Sequence, residues 1–378
     1  MRAAVVLRDD VLAAAHACGA SAVRIAPAEA LSATRARLVE SFARDDLATW
    51  SYDDAYAGAA SDPQTLLAGA RSVVCVAVAY ATPREPEVAG RGRVSNYAWS
   101  PDYHRRMRVL LDELARRIDA LGGRSAVACD TAPLAERAFA ERSGIGWIGK
   151  HTNLIAPRLG SYVFLGEVIT TLDLAPDAPI RTTCGTCTRC VVACPTGALR
   201  GDYTIDATRC ISDLTQRTDA IPRALRPYVG TWVWGCDLCQ DACPPTQRAP
   251  HASAAFAPVD EETRAPSLQA LLRLRSGEFK RRYARTAMGW RGAAVLRRNA
   301  AVALGNGLDR ADVPALAAAL AHDPHPQVRA HAAWALGHIG SPAAARSLVE
   351  AAESERDRLV LDEIAAAGQP KSQGPRLS

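Results

Sequence analysis

Lysine is nearly missing from this chain of 378 residues: three of its 45 basic residues are lysine and the rest are arginine. The imbalance follows a Gly- and Ala-rich composition and carries no functional reading. A large excess of charge is missing too. The formal net charge is only +5, so affinity for nucleic acid has to come from local clusters and not from the overall field. No apolar run approaches the length of a membrane span. The apolar run near the start, Ala3 to Leu7, ends in Arg8, Asp9 and Asp10 and is too short for a signal-peptide core. A cytoplasmic protein without a membrane partner is therefore expected. Disorder is excluded as well: 48% of the residues are hydrophobic, enough for real cores. The length suggests two or three domains.

Cysteine, by contrast, is abundant, with eleven residues. Cys184, Cys187, Cys190 and Cys194-Pro195 form a C-x2-C-x2-C-x3-C-P run; Cys236, Cys239 and Cys243-Pro244 repeat it minus one cysteine, and Cys210 lies between. This is the ligand pattern of bacterial two-cluster ferredoxins. Three closely spaced thiolates wrap one cubane, and the fourth cysteine of the run serves the other. Cys184, Cys187, Cys190 and Cys243 are thus expected on one [4Fe-4S] cluster. Cys194, Cys236 and Cys239 go to the second, which Cys210 completes. Zinc fits poorly, because its sites usually pair two C-x2-C units. Disulfides need an oxidising compartment, to which nothing here points.

Ahead of these cysteines the pattern reads as an α/β domain. A helix and short strand occupy residues 9 to 26, and Val73 to Tyr80 is a continuous apolar run typical of a buried strand. A long helix is expected from Asp102 to Leu121, with Tyr103 and His104 in its first turn, then a strand from Ser125 to Cys129. A helix from Thr131 to Ser143 and a strand from Ser161 to Thr171 follow. Asp130 falls at the carboxyl end of a strand, the edge where α/β sheets bind ligands. It is equally placed to be the N-cap of the next helix.

Gly144-Ile-Gly146-Trp-Ile-Gly149-Lys150-His151 matches a dinucleotide fingerprint in letters only. Such a loop needs a strand before it and a helix after it. Here a helix precedes, and His151 stands where a P-loop carries Ser or Thr. A tight turn, or a loop against some other bulky ligand, is expected.

The C-terminal third is different in kind. Leu296 to Gly305 recurs as Val328 to Gly337, offset by 32 residues, the mark of a HEAT-type helical repeat. Between Arg273 and Arg298 stand nine Lys or Arg and one acid, Glu278, interleaved with Tyr283 and Trp290. Contact with a nucleic-acid backbone is expected there, with Arg281, Arg282, Arg297 and Arg298 as candidates. The expected layout is an α/β domain at 1–175, a ferredoxin-like α+β two-cluster domain at 176–262, an all-α HEAT-like domain at 263–368 and a disordered tail at 369–378.

Several stretches together resemble one family. They are Asp130-Thr-Ala-Pro-Leu-Ala-Glu136-Arg137, Gly144 through Ile155, Gly160-Ser-Tyr, the cysteine pattern, Cys210-Ile-Ser-Asp-Leu-Thr-Gln216 and the trailing repeat. The chain resembles the epoxyqueuosine reductases over nearly its whole length. The resemblance implies a cobalamin-binding α/β domain akin to that of reductive dehalogenases, beside two [4Fe-4S] clusters. It implies reduction of epoxyqueuosine to queuosine at the wobble base of tRNA, the last step of queuosine synthesis. Asp130 then corresponds to the proton donor and would need a pKa raised by burial. Leu154 and Leu165 correspond to corrin contacts, and Ser212 lies in a loop facing cofactor and tRNA. Tyr103 and His104 stand as further cofactor-side candidates. Thr218-Asp219, Ala132 and His151 depart from the family's usual Lys-Gly, Gly and Asn. No D-x-H-x-x-G motif supplies an axial histidine, which suits base-off cobalamin.

Partners implied are tRNA and an external low-potential electron donor, with a monomeric protein. The rivals are a corrinoid dehalogenase acting on small molecules and a ferredoxin-like electron carrier. The basic repeat argues against the first, and about 170 N-terminal residues without a task argue against the second. Removing everything from Ser267 onward is expected to weaken tRNA binding and spare cofactor loading.

Overall fold

The computed structural model describes residues 2–250 and 256–368, with side chains from Leu7 onward. The tail expected to be disordered lies outside the described residues. The chain divides into two compact units, neither continuous in sequence. The first comprises Met1–Arg84, Ser100–Cys210 and Asp237–Ala257, and the second Glu85–Trp99, Ile211–Cys236 and Pro258–Ser378.

The first unit is built on a four-stranded sheet. Its strands are β1 (Ala22–Pro27), β2 (Ser72–Ala79), β3 (Ser125–Ala128) and β4 (Val163–Thr170), in the order β1-β2-β4-β3. Every neighbouring pair is antiparallel. The ligand edge of open parallel sheets therefore does not explain why Asp130 is where it is. β2 reads as an unbroken apolar run because it is central and covered on both faces. One face carries Val73, Cys75, Ala77 and Ile169, packed with Phe139 and Ala140. The latter two belong to α2 (Glu136–Ser143). A longer amphipathic helix, α1 (Tyr103–Ala120), buries Met107, Leu111, Leu114 and Ile118 at helical spacing. A Cβ on Gly166 of β4 would stand 2.6 Å from Leu111, so α1 lies directly on the sheet.

The helix expected from Thr131 begins only at Glu136. Asp130 adopts a left-handed φ of +53°, which a non-glycine residue enters at a cost, and Pro133 follows it. The glycine-rich stretch proves to be a tight hairpin between Trp147–Ile148 and Leu154–Ile155. A Cβ on Gly146 would meet the Ile155 carbonyl oxygen at 2.2 Å. Close backbone approach, and not a phosphate, accounts for that glycine.

The second unit carries the repeat: α3 (Ala293–Gly307), α4 (Pro326–Ile339) and α5 (Arg358–Ala367). The 32-residue offset is visible in its packing. A Cβ on Gly305 would lie 2.8 Å from that of Ala335, and one on Gly337 2.5 Å from that of Ala367.

These helices also hold the segment 211–236. Arg298 is 1% exposed and donates to the carbonyls of Leu214, Arg217 and Asp219. Asn299 donates to those of Thr215 and Val233, and Asn306 to those of Arg226 and Gly230. His331 accepts the Ile221 N–H. This corrects two expectations. Arg297 and Arg298 are not available to nucleic acid: Arg297 is 7% exposed and tied to Asp323 and the Leu274 carbonyl. Nor is the repeat separable, since removing it strips the hydrogen-bond donors from 211–236. Replacing Arg298 with Ala is expected to orphan two buried carbonyls, those of Leu214 and Arg217, each at roughly 1–3 kcal/mol. A denaturant midpoint unchanged from wild type would refute this scaffold role.

Candidate active site

The site is built where β3 ends. Asp130 is half exposed, its side chain at 52%, and three residues hold it. Its Oδ2 accepts from Tyr103 Oη at 3.1 Å and from His104 Nε2 at 2.7 Å. Its backbone N–H donates to Glu136 Oε1. Asp130 does not cap α2, whose N-cap is Ala135, without a side-chain hydrogen bond. Tyr103 and His104 sit in the first turn of α1 because Asp102 caps it, accepting the His104 N–H at 3.1 Å. The same carboxylate receives His104 Nδ1 at 2.7 Å. Tyr103 is fixed further by stacking on Phe164, ring centres 4.2 Å apart and planes nearly parallel.

Charge is distributed against the expectation for a buried acid. The Asp130 hydrogen bond raises the His104 pKa to about 9, so both ring nitrogens donate at neutral pH. The same bond lowers the pKa of Asp130. Asp130 is thus a carboxylate with its proton stored one bond away, on the imidazolium.

Asp130, Tyr103 and Glu136 line a recess of about 130 Å³ together with Arg137, Leu154, Leu165 and Gln240. Leu154 is 2% exposed; with Leu165 it makes an apolar wall. Gln240 comes from the cysteine-rich segment. Its Oε1 accepts from Asn153 at 3.2 Å, while its Nε2 is buried with no partner. The segment is bound to the sheet domain by Tyr162 Oη donating to Asp241 at 2.6 Å and by Ser161 with Thr246.

Four of the cysteines gather in this unit. Burial, then the neighbouring Cys184 and Cys243, push the Cys190 thiol up. Burial likewise raises that of Cys243, with Cys184 and Cys187 adding to it. The raised Cys190 and Cys243 thiols, with Cys184 and Cys187 beside them, suit a cationic iron cluster, which reverses the penalty.

Comparison with known proteins decides the family. A model described as epoxyqueuosine reductase QueG matches residues 61–131. One for a 4Fe-4S double cluster binding domain matches 183–246, and one for HEAT repeats matches 291–367. The epoxyqueuosine reductase of Bacillus anthracis is 34% identical over 368 residues, covering 95% of this chain and 96% of that protein. The chain belongs to the epoxyqueuosine reductase family. Two solved epoxyqueuosine reductases, both 34% identical, cover 96% of this chain and 98% of their own. One, with a TM-score of 0.90, holds an epoxyqueuosine-modified tRNA-Tyr stem loop. The other, from Bacillus subtilis, with a TM-score of 0.89, has an aspartate-bearing catalytic loop swung out of the active site.

Within this epoxyqueuosine reductase fold, Asp130, Tyr103, Leu154 and Leu165 meet at one recess, and His104 is connected to it through its bond to Asp130. Ser212 belongs to the second unit, in the helix Ile211–Gln216, where its Oγ accepts from Gln216. Glu136, Arg137 and Gln240 went unmarked as site residues in the sequence. Glu136 and Arg137 stood in the family's own motif. Gln240 stood between Cys239 and Cys243, but the direction it faces is a tertiary matter. Arg281 and Arg282 are exposed in the helix Ser276–Arg282. Near them, Arg273, Arg275, Arg291, His322 and His325 line a groove of about 990 Å³ within the second unit. No helix among the described residues is long and apolar enough to cross a membrane.

Proposed function

We propose that this protein reduces epoxyqueuosine to queuosine at the wobble position of tRNA. The observation that carries the reading is the Asp130–His104 pair, whose aspartate lines a recess together with Gln240 of the cysteine-rich segment. The relatives' names and the tRNA-bound relative support it.

Cobalamin is the proposed cofactor, with electrons arriving from an external donor through two [4Fe-4S] clusters. The recess is too small for a whole corrin, so the ring would stand against it. Leu154 and Leu165 would meet an apolar face, and the unpartnered Gln240 amide would meet an acceptor at its edge. When bound, cobalamin supplies the low-potential reducing centre. The chain's own residues do the rest. Removing the epoxide oxygen consumes two electrons and two protons and releases water, so a group beside the oxygen must donate a proton. Asp130 passes on the proton held by His104 Nε2, and Tyr103 fixes the carboxylate for that transfer. Arg281 and Arg282 would meet the tRNA backbone.

For the clusters, Cys184, Cys187, Cys190 and Cys243 are proposed on one. Cys194, Cys210, Cys236 and Cys239 are proposed on the other, on spacing and count. Protein reconstituted without oxygen should hold about eight iron. Cys210→Ala should lose one cluster and keep the other; a full iron complement would remove Cys210 from the ligand set. The function itself is tested by supplying purified protein with cobalamin, a strong reductant and epoxyqueuosine-containing tRNA. Queuosine formed at many turnovers per protein is expected, and none from fully loaded protein would overturn the reading.

A further inference from the structure

Behind Asp130 lies a pair of carboxyl groups to which the reaction assigns no task. Glu167 is at the middle of β4, opposite Cys75 of β2 and Ala128 of β3. It is 0% exposed, and neither carboxyl oxygen has a hydrogen-bond partner. α2 packs over this face of the sheet, and its first residue is Glu136. Glu136, half-buried, directs its carboxyl onto the Asp130 backbone N–H. That bond closes a loop of six residues, Asp130 to Ala135, whose first member is held in the left-handed region. A left-handed Asp costs free energy, so something must retain it.

We propose that Glu136 is a positioning residue, a latch whose carboxylate retains the Asp130 loop in the conformation that brings its side chain to His104 and Tyr103. Glu167 acts on the latch from below. An unpartnered buried carboxyl stays neutral, and burial raises its pKa well above the usual range. Next to it, burial pushes Glu136 up to about 7. The groups facing Glu136 from the surrounding elements are Asp130 and Cys129 at the end of β3, Glu167 on β4 and Cys75 on β2. Tyr56, His104 and Arg137 complete them. Asp130 opposes the charge of Glu136, whereas Arg137 and His104 support it. The sign follows: above about pH 7 the latch is a charged acceptor, and below it the acceptor is neutral and the loop is held more weakly.

The inference rests on the proposed reaction for its kinetic arm only. The test uses full-length protein loaded with clusters and cobalamin, as wild type, E136Q and E136A. Backbone hydrogen exchange is read over residues 129–135, and turnover is read against pH. Exchange in wild type should speed up as pH falls through about 7, after correction for the intrinsic rate. E136Q keeps an amide oxygen as acceptor but cannot titrate, so that dependence should vanish. E136A should exchange fast at all pH values, by about tenfold or more. In turnover, E136A should lower kcat about tenfold with KM unchanged, while E136Q should stay within a few-fold and lose the acid limb. A wild-type pH dependence retained in E136Q, or slow exchange retained in E136A, overturns the latch. The exchange arm needs no substrate, so failure of the latch and failure of the proposed reaction are separable.

Discussion

Asp130→Asn is expected to fold, load both clusters and bind cobalamin, and still turn over epoxyqueuosine at least about a hundredfold more slowly. Asparagine is nearly the same shape and keeps one oxygen for Tyr103 and for His104 Nε2. The helix behind it is undisturbed, because α2 starts at Glu136 and is not capped by Asp130. What is lost is the ability to accept a proton from the imidazolium and give it to the departing oxygen. Thermal stability, cofactor absorbance and queuosine formed per minute, measured on one preparation, decide the matter. Wild-type turnover in a stable, loaded variant would show that Asp130 transfers no proton.

His104→Gln should cost about ten- to a hundredfold in turnover and, more diagnostically, remove the alkaline limb of the pH profile. The proton on His104 is held by hydrogen bonds to Asp130 and Asp102, which raise its pKa to about 9. Below that pH the store is full; above it the imidazole is neutral and the pair has no proton to pass. Wild type should therefore lose activity as pH rises through about 9, and the glutamine variant should not. The linkage to folding has the same sign. The stabilisation His104 gains from its two carboxylates is complete below its unfolded pKa and is lost as pH climbs through about 9. An alkaline limb that survives the substitution would assign that ionisation to another group.

Much of this was legible because it is local or periodic. Cysteine spacing reports cluster ligation without any fold, since a cubane's reach is short. The 32-residue offset reports stacking, because each repeat's glycine must admit the alanine of the next, as Gly305 admits Ala335. The apolar run of β2 reports burial on both faces. The family motif around Asp130 reports a site.

Other properties belong to side chains brought together from distant parts of the chain. Strand direction was one: four strands separated by helices look parallel in sequence, and only their pairing made the sheet antiparallel. The ionisation of Asp130 was another. Burial alone would raise its pKa, but a histidine 26 residues upstream, aimed at it by the cap of α1, lowers it. Arginines alike in sequence parted company in the same way. Arg281 and Arg282 stayed in solvent, while Arg297 and Arg298 turned inward to a carboxylate and a row of carbonyls. Composition and spacing determined which chemistry the chain carries. The tertiary structure decided where each charge resides, because a pKa or a buried guanidinium depends on which partners share a low-dielectric space, and the order of residues along the chain does not contain that.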